Sequence, residues 1–228
     1  MSIIETVTER CACSATVHHP KFIVLTGGPS AGKSRLLEMI RGNFCPHIGV
    51  LPEAASIVFG GGFPRIETLA ARRAAQRTIY HVQDQLEQWV RDEGHLGIAL
   101  CDRGTLDGLA YWPDDEDAFF GQLETTREWE LTRYAAVIHL HTPGAEAYDR
   151  GNRLRIESAG EAVALDARIE SMWRGHPHRF FIDSTTAFET KVAAALAIIR
   201  QELPACCREH VGTDGVAADC GECSEVTP

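Results

Sequence analysis

The feature that most constrains the fold is one glycine-rich run near the amino terminus, Gly27-Gly28-Pro29-Ser30-Ala31-Gly32-Lys33-Ser34. It fits the pattern G-x-x-x-x-G-K-[S/T], the P-loop or Walker A motif. Small residues let such a loop curl tightly and point its backbone N–H groups at phosphate oxygens, and the following helix adds its positive dipole end. We expect Lys33 to face the β- and γ-phosphates of a nucleotide and the Ser34 hydroxyl to bind Mg²⁺.

The sequence on either side of this run supplies the structural context that the motif requires. The six residues before it, Lys21–Thr26, form an apolar run typical of a buried parallel strand. After it, Leu36, Leu37 and Ile40 recur at helical spacing. The alternative is a surface turn that matches the motif by chance. A strand, a loop and a helix in the right order favour the P-loop.

Composition limits the classes of partner. The chain has 228 residues and a formal net charge of −10. The length makes a single domain the default, and the acidic balance argues against a large nucleic-acid footprint. No apolar run approaches the length of a membrane span, and residues 1–20 lack the basic start and apolar block of a signal peptide. We therefore expect a cytoplasmic protein with neither a nucleic-acid nor a membrane partner.

Strand-like and helix-like segments alternate along the chain, which predicts a parallel sheet with helices on both faces. The predicted strands are 21–26, 48–51, 97–101, 135–140 and 179–183. The predicted helices are one that follows the glycine-rich run and ends at about 41, 66–92, one within 112–128, 161–173 and 191–202. We predict three regions: a flexible extension at 1–19, a nucleotide-binding domain at 20–203 and a mobile tail rich in cysteine and acidic residues at 204–228.

Two acidic residues follow predicted strands. Asp102 ends the apolar run 97–101, which is the Walker B pattern, and Arg103 comes next. Glu53 follows the second strand. Strand ends in open α/β sheets meet at the edge where ligands bind, so Asp102 is a candidate to hold Mg²⁺ through water. Glu53 has an alternative role as the cap of a following helix, and Arg103 as the partner of a structural ion pair.

Clusters of arginine and histidine leave further alternatives open. Arg72, Arg73 and Arg77, with Gln76 among them, either form a solvated helix face or line a cleft. His139 and His141 alternate along the fourth predicted strand. We expect the two histidines to be structural, because the sequence suggests no third metal ligand beside them.

The eight cysteines also allow two interpretations. Cys45 and Cys101 resemble small core residues. The terminal cysteines are either reduced thiols on mobile tails, which we favour, or a zinc site formed where the two ends meet. These terminal residues are Cys11, Cys13, Cys206, Cys207, Cys220 and Cys223.

With these features in place, the chain resembles the P-loop nucleoside and nucleotide kinases. More narrowly, it is similar to the small AAA-type ATP-binding domain of the NadR nicotinamide riboside kinase module and its relatives. Besides the P-loop, the resemblance rests on Pro52-Glu53-Ala54-Ala55 with Gly61-Gly62-Phe63-Pro64, on Asp102-Arg103-Gly104-Thr105-Leu106-Asp107-Gly108, and on His176-Pro177-His178-Arg179-Phe180-Phe181-Ile182-Asp183. It covers about 21–203, and the adenylyltransferase part is absent because no His-x-x-His precedes the P-loop.

The resemblance implies a three-layer α/β P-loop NTPase fold, with a five-stranded parallel sheet of order 2-3-1-4-5. It also implies that ATP and Mg²⁺ are the cofactors and that Glu53 or Asp102 accepts the proton of a substrate hydroxyl. Arg103 would contact the acceptor or the transferred phosphate. The segment with Arg150, Arg153 and Arg155 would be a lid over the nucleotide, and Asp183 would lie near the adenine.

These expectations lead to a hypothesis of function. The chain is expected to be a Mg²⁺-dependent kinase that moves the γ-phosphate of ATP to a small hydroxyl-bearing metabolite such as a nucleoside. The alternative is a nucleotide-dependent regulatory ATPase or switch with no metabolic acceptor. No guanine-specific Asn/Thr-Lys-x-Asp signature follows the fourth predicted strand, although this leaves the choice between ATP and GTP open.

Overall fold

A computed structural model describes residues 17–41, 47–143, 159–204 and 207. The strands are β1 Lys21–Thr26, β2 Ile48–Leu51, β3 Ile98–Asp102, β4 Ala136–Leu140 and β5 Arg179–Ile182. The helices are α1 Lys33–Arg41, α2 Ala54–Gly60, α3 Leu69–Glu93, α4 Glu116–Leu123, α5 Arg127–Thr132, α6 Ala159–Met172 and α7 Phe188–Glu202. A 3₁₀ segment, Thr105–Tyr111, follows β3.

The strands form one parallel sheet in the order β2-β3-β1-β4-β5, which confirms the predicted fold and strand order. In the register, Leu25 of β1 pairs with Asp102 of β3, and Thr26 pairs with His139 of β4. The P-loop, the residue after β2 and the ends of β3 and β4 therefore lie along one edge of the sheet.

The sheet is buried on both faces because its central strands are apolar at successive positions. Ile23 and Leu25 pack with α1 and α7 in one core. Phe22 and Val24 point to the other face and pack with side chains of α3, the 3₁₀ segment and α4. Trp173, just after α6, completes this second core.

Several boundaries differ from the sequence prediction for local reasons. The long helix α3 begins at Leu69, later than predicted, since the Thr68 hydroxyl accepts a hydrogen bond from the Ala71 N–H and caps it. The acidic stretch predicted to hold one helix holds two, α4 and α5, capped by Asp115 and Thr126. Helix α2 and the 3₁₀ segment were not predicted from periodicity, because each is only seven residues long.

Both ends of the described chain contact the domain. The backbone N–H of His18 donates a 2.7 Å hydrogen bond to the carbonyl of Gly94. Cys207 is buried in the core beside α7, with its Sγ 3.2 Å from Nδ1 of His47. The other terminal cysteines and Cys45 lie outside the described residues. Within the described ranges, no helix has the length and apolarity needed to cross a membrane.

A buried polar network joins α5, α3 and the 3₁₀ segment. The Glu130 carboxylate is fully buried and accepts hydrogen bonds from the hydroxyls of Tyr80 (2.6 Å), Thr105 (2.6 Å) and Thr125 (2.7 Å). Arg133 supplies the positive charge, lying 3.3 Å from Glu130 and 2.8 Å from Glu87. The network fixes Thr105, two residues after Arg103, relative to α3.

Glu130→Ala should be strongly destabilising, because it leaves three buried hydroxyls and part of the Arg133 charge unpaired. We expect the free energy of unfolding in urea to fall by about 3 kcal/mol. Glu128→Ala is the matched control on the same helix, where the side chain is exposed, and should change stability by about 0.5 kcal/mol or less. Equal effects from the two variants would contradict a structural role for the network.

Candidate functional site

The P-loop packs tightly against the end of β4. Gly27 has φ of +133°, and a Cβ atom placed there would lie 2.0 Å from the carbonyl oxygen of Leu140. Gly32 also has a positive φ, +95°, but a Cβ there would meet open space. Glycine is thus required at Gly27 by packing and at Gly32 by backbone conformation. Ser30 adopts φ of +66° without being glycine, so part of the loop is strained.

Lys33 is the basic residue of the loop, and its pKa is strongly lowered. Its Nζ donates hydrogen bonds to the carbonyl oxygens of Gly27 (2.8 Å) and Gly28 (2.9 Å), and no carboxylate among the described residues forms an ion pair with it. Burial, together with the charge of Arg103, lowers the pKa of this ammonium from its ordinary 10.5 to about 7. The site therefore holds a buried amine whose charged form would gain from a nearby anion.

Glu53 and Arg103 form an ion pair beside the loop. Arg103 Nε donates a 2.7 Å hydrogen bond to Glu53 Oε1, and the Ser56 hydroxyl donates to Oε2. Burial alone would raise the pKa of Glu53, but the pairing with Arg103 and the bond from Ser56 lower it overall. Glu53 precedes α2 at the N-cap position, yet its carboxylate makes no capping hydrogen bond. Its side chain is committed to Arg103 instead.

Arg103 combines two unusual features. Its backbone lies in the left-handed region with φ of +72°, which an L-residue other than glycine rarely adopts. Its Nη1 is buried and has no hydrogen-bond partner among the described residues. Strained backbones and unsatisfied buried donors concentrate at functional sites. The ion-pair alternative for Arg103 is therefore present in the structure but leaves one donor of its guanidinium unused.

The two residues expected to hold Mg²⁺ differ in burial. Ser34 lies in the first turn of α1 with an exposed side chain, while Asp102 is half-buried at the end of β3. Burial and the negative charge of Glu53 raise the pKa of Asp102. A cation beside Asp102 would offset both the burial of this carboxylate and the repulsion from Glu53, and hydroxyl and carboxylate oxygens suit a hard divalent ion.

Asp107 stabilises the turn after β3 through hydrogen bonds to its buried carboxylate. Its buried carboxylate accepts hydrogen bonds from the Thr26 hydroxyl (2.5 Å), the Gly104 N–H (2.8 Å) and Trp173 Nε1 (3.1 Å). These bonds connect the end of β1 to the residue following Arg103. Asp107 is thus a scaffold residue that positions the Arg103 turn.

A pocket opens between α2, α3 and the 3₁₀ segment, next to the Glu53–Arg103 pair. Its volume is about 210 Å³. Aromatic and aliphatic walls come from Phe59, Ile79, Tyr80 and Tyr111, and polar or charged groups come from Glu53, Arg65, Gln76, Gln83, Arg103 and Thr105. A mixture of flat apolar faces with a few convergent polar groups is typical of a small-molecule site. We call these residues the acceptor pocket, after the role proposed for them below. Glu53 and Arg103 were predicted site residues, but the sequence did not predict a pocket here.

Asp166 of α6 contacts the P-loop from the other side. Its Oδ1 accepts a 2.5 Å hydrogen bond from the Gly28 N–H, and its Oδ2 accepts a 3.1 Å bond from the Thr142 N–H. His139 Nε2 lies 3.0 Å from Oδ1. Although burial opposes it, these contacts keep the pKa of Asp166 well below its usual range. The carboxylate therefore connects α6 to the loop as a fixed negative charge.

Of the remaining predicted site residues, the structure describes Asp183 but not the three arginines of the predicted lid. Asp183 lies in a turn after β5, where Oδ1 accepts hydrogen bonds from the backbone N–H and hydroxyl of Thr185, and it does not line the acceptor pocket. Arg150, Arg153 and Arg155 lie outside the described residues.

Comparison with known proteins places this architecture in a family. A family model described as an AAA domain matches residues 22–191, about three quarters of the chain. The chain belongs to this AAA domain family. None of the curated proteins matches its sequence. Among solved structures, a thymidylate kinase from Candida albicans is similar, with a TM-score of 0.55 and 12% sequence identity over 80% of this chain and 92% of that one.

At 12% identity, the likeness to that kinase concerns the fold. Together with the family match, it supports an AAA domain with the P-loop kinase-like fold. Of the acceptor-pocket residues, Glu53 and Arg103 were predicted and Gln76 lies in the cluster considered for a cleft. Arg65 was missed because it lies beside a glycine-rich break, where polar residues are common. The three arginines considered as cleft residues bind neighbouring elements instead: Arg72 the Tyr111 carbonyl, Arg73 the Asp114 carboxylate and Arg77 the Gln122 amide.

The left-handed backbone of Arg103 predicts that glycine will be tolerated there better than alanine. Both Arg103→Gly and Arg103→Ala remove the same ion pair with Glu53, so the two variants differ in backbone preference. We expect the glycine variant to be more stable in urea unfolding by about 1 kcal/mol. An alanine variant as stable as the glycine variant would show that the backbone at this position is unstrained.

Proposed function

We propose that the protein is a Mg²⁺-dependent phosphotransferase that moves the γ-phosphate of ATP to a small hydroxyl-bearing metabolite such as a nucleoside. The acceptor pocket beside the P-loop is the observation that carries this proposal. A protein that only bound or hydrolysed ATP would have no need of a partly apolar pocket that is separate from the P-loop and lined by Glu53 and Arg103.

The nucleotide half of the site would be the P-loop. Backbone N–H groups of 27–34 would surround the phosphates, and Lys33 would place its charge on them. The electrostatics support this role: the pKa of Lys33 is held at about 7 by burial beside Arg103, and a polyanion would restore its charge. By resemblance to the kinases, Arg150 and Asp183 are proposed nucleotide contacts.

Ser34 and Asp102 would hold Mg²⁺. The cation would neutralise phosphate charge as the γ-phosphoryl group is transferred. The raised pKa of Asp102 supports the assignment, because it reflects a carboxylate that is poorly compensated in the ligand-free site. Glu53, paired with Arg103, is better compensated and is not needed for the metal.

Glu53, Asp102 and Arg103 would act on the acceptor. Phosphoryl transfer requires positioning and charge stabilisation more than covalent participation by the protein. Arg103 Nη1 is a buried donor available to an acceptor oxygen or to the transferred group. Either carboxylate could accept the hydroxyl proton. The raised pKa of Asp102 favours it as the base only where no metal is bound to it, while Glu53 lines the acceptor pocket directly. Arg153 and Arg155 would complete the charge stabilisation from a lid.

The acceptor pocket predicts acceptor-dependent turnover. A panel of nucleosides and related metabolites with ATP and Mg²⁺ should contain a compound that raises ADP release well above the rate with ATP alone. Gln76→Ala should then raise the KM for that acceptor by about tenfold, the value of one hydrogen bond, with little change in the KM for ATP.

Gln88→Ala is the matched control for this measurement. Gln88 lies on the same helix but is exposed and bonded to Asp92. It should leave both KM values unchanged. If no compound accelerates ADP release and Gln76→Ala has no effect on ATP turnover, the regulatory ATPase alternative is favoured.

Replacing the two carboxylates should separate their roles. Asp102→Asn should weaken Mg²⁺-dependent ATP binding, because a neutral amide is a poor ligand for a hard cation. Glu53→Gln should leave ATP binding nearly intact and lower the transfer rate by about 10²-fold if Glu53 is the general base.

Ser56→Ala serves as the control for Glu53, since it removes one hydrogen bond to the same carboxylate and keeps the charge. Its transfer rate should stay within a few-fold of the parent rate. An unchanged rate in Glu53→Gln, together with reduced stability, would assign Glu53 a structural role and leave Asp102 as the base.

A further inference from the structure

Two histidines and two carboxylates face each other where α6 packs on the end of β4. His139 and His141 are two residues apart, so they lie on one face of the chain leaving β4. Asp166 and Glu170 are four residues apart on α6, so they lie on one face of that helix. Helix α6 packs over this end of the strand and brings the two pairs together.

The ligand atoms of these side chains converge. One such atom from each of His139, His141 and Glu170 lies within 4.8 Å of the other two. His139 Nε2 is 3.0 Å from Asp166 Oδ1, and His141 Nδ1 is 3.3 Å from Asp166 Oδ2. His141 Nδ1 is also 4.0 Å from Glu170 Oε2. Ligands of a tetrahedral zinc ion, bound at about 2.0 Å, lie about 3.3 Å apart. The two spacings to Asp166 are close to this value, while the 4.0 Å between His141 and Glu170 would have to shorten by less than 1 Å when an ion binds.

Hydrogen bonding to Asp166 accounts for the positions of the two imidazoles but leaves the approach of Glu170 unexplained. The Asp166 carboxylate already accepts bonds from the N–H groups of Gly28 and Thr142 in addition to its contacts with the two imidazoles. Glu170 Oε2 lies 4.0 Å from His141 Nδ1, the nitrogen that Asp166 also contacts, and this distance is too long for a hydrogen bond. His141 is also stacked on Phe181 with an angle of 9° between the rings, which fixes its orientation toward the carboxylates.

We propose that His139, His141 and Glu170, with Asp166 beside them, bind a divalent transition metal such as zinc. Imidazole and carboxylate groups in this combination suit zinc and its neighbours better than Mg²⁺. Each neutral imidazole would carry its proton on the ring nitrogen remote from the metal. The Gly28 N–H bond to Asp166 would then connect the metal to the P-loop, separately from the Mg²⁺ ligands proposed at Ser34 and Asp102.

Zinc binding to the full chain, without nucleotide, tests this proposal. We compare the parent with the double variant His141→Ala/Glu170→Gln, which spares the more buried His139 and the P-loop contact of Asp166. The parent should bind one more equivalent of zinc than the variant in equilibrium dialysis. Saturating zinc should also raise the melting temperature of the parent by about 5 °C more than that of the variant.

A second exposed histidine–glutamate pair provides the control. His95 Nε2 and Glu93 Oε2 are 3.4 Å apart, and both side chains are more than half exposed. The variant His95→Ala/Glu93→Gln should bind zinc like the parent. All three proteins keep the eight cysteines, so binding by thiols contributes equally to each.

Anomalous diffraction at the zinc edge from zinc-soaked crystals of the parent then locates the ion. A peak between His139, His141 and Glu170 would support the proposal. Zinc stoichiometry that is the same in the parent and in His141→Ala/Glu170→Gln, or a peak only at cysteine residues, would overturn it. Loss of folding in the variant would be seen in its circular dichroism. In that case the anomalous map of the parent decides alone.

Discussion

The burial of the Lys33 ammonium governs how charge is arranged at the carboxyl edge of the sheet. The amine is enclosed by the loop that precedes it and is hydrogen-bonded to two carbonyl oxygens of that loop. Three carboxylates attract the amine through space, those of Asp102, Glu53 and Asp107. However, Glu53 is hydrogen-bonded to Arg103, and Asp107 is hydrogen-bonded to the end of β1 and to the turn that carries Arg103. The charge of Lys33 is thus left without a carboxylate partner in the described structure. A protein selected for stability alone would have little reason to keep it.

The surroundings of this amine are rigid. Asp107 fixes the turn that carries Arg103, and the Glu130 network fixes Thr105 against α3. Asp166 holds the opposite side of the loop through Gly28. Three buried carboxylates from different elements therefore determine where the P-loop, Arg103 and the acceptor pocket lie relative to each other. Such positioning is what phosphoryl transfer demands of a protein.

Local sequence was sufficient to predict the strands of the sheet and the P-loop. The strands were predictable because β1 and β4 are continuous apolar runs, and the strand order came from the resemblance to P-loop kinases. Asp102 and Glu53 could be placed because Asp102 ends β3 and Glu53 comes two residues after β2. The pairing of Glu53 with Arg103 depends on φ at Arg103, and the contact of Asp166 with Gly28 joins residues 138 positions apart. Neither leaves a periodic signal in the sequence.

The histidines show the same limit of local sequence information. His139 and His141 were predicted to be structural because the strand itself offers no third ligand. Glu170 reaches them only through the packing of α6, which begins 18 residues after His141. The acceptor pocket is likewise assembled from α2, α3 and the 3₁₀ segment, and two of these three elements are too short to show periodicity.

Proton uptake on ATP binding is the most direct test of the account of Lys33. With a pKa of about 7, about a tenth of Lys33 is protonated at pH 8 in the free protein. A polyphosphate beside the amine should raise that pKa, so titration calorimetry in buffers of different ionisation enthalpy should show uptake approaching one proton. Affinity should fall as the pH rises above 7, and Lys33→Met should lose both the uptake and most of the affinity. ATP binding with no proton uptake, or with the same affinity in Lys33→Met, would contradict the account.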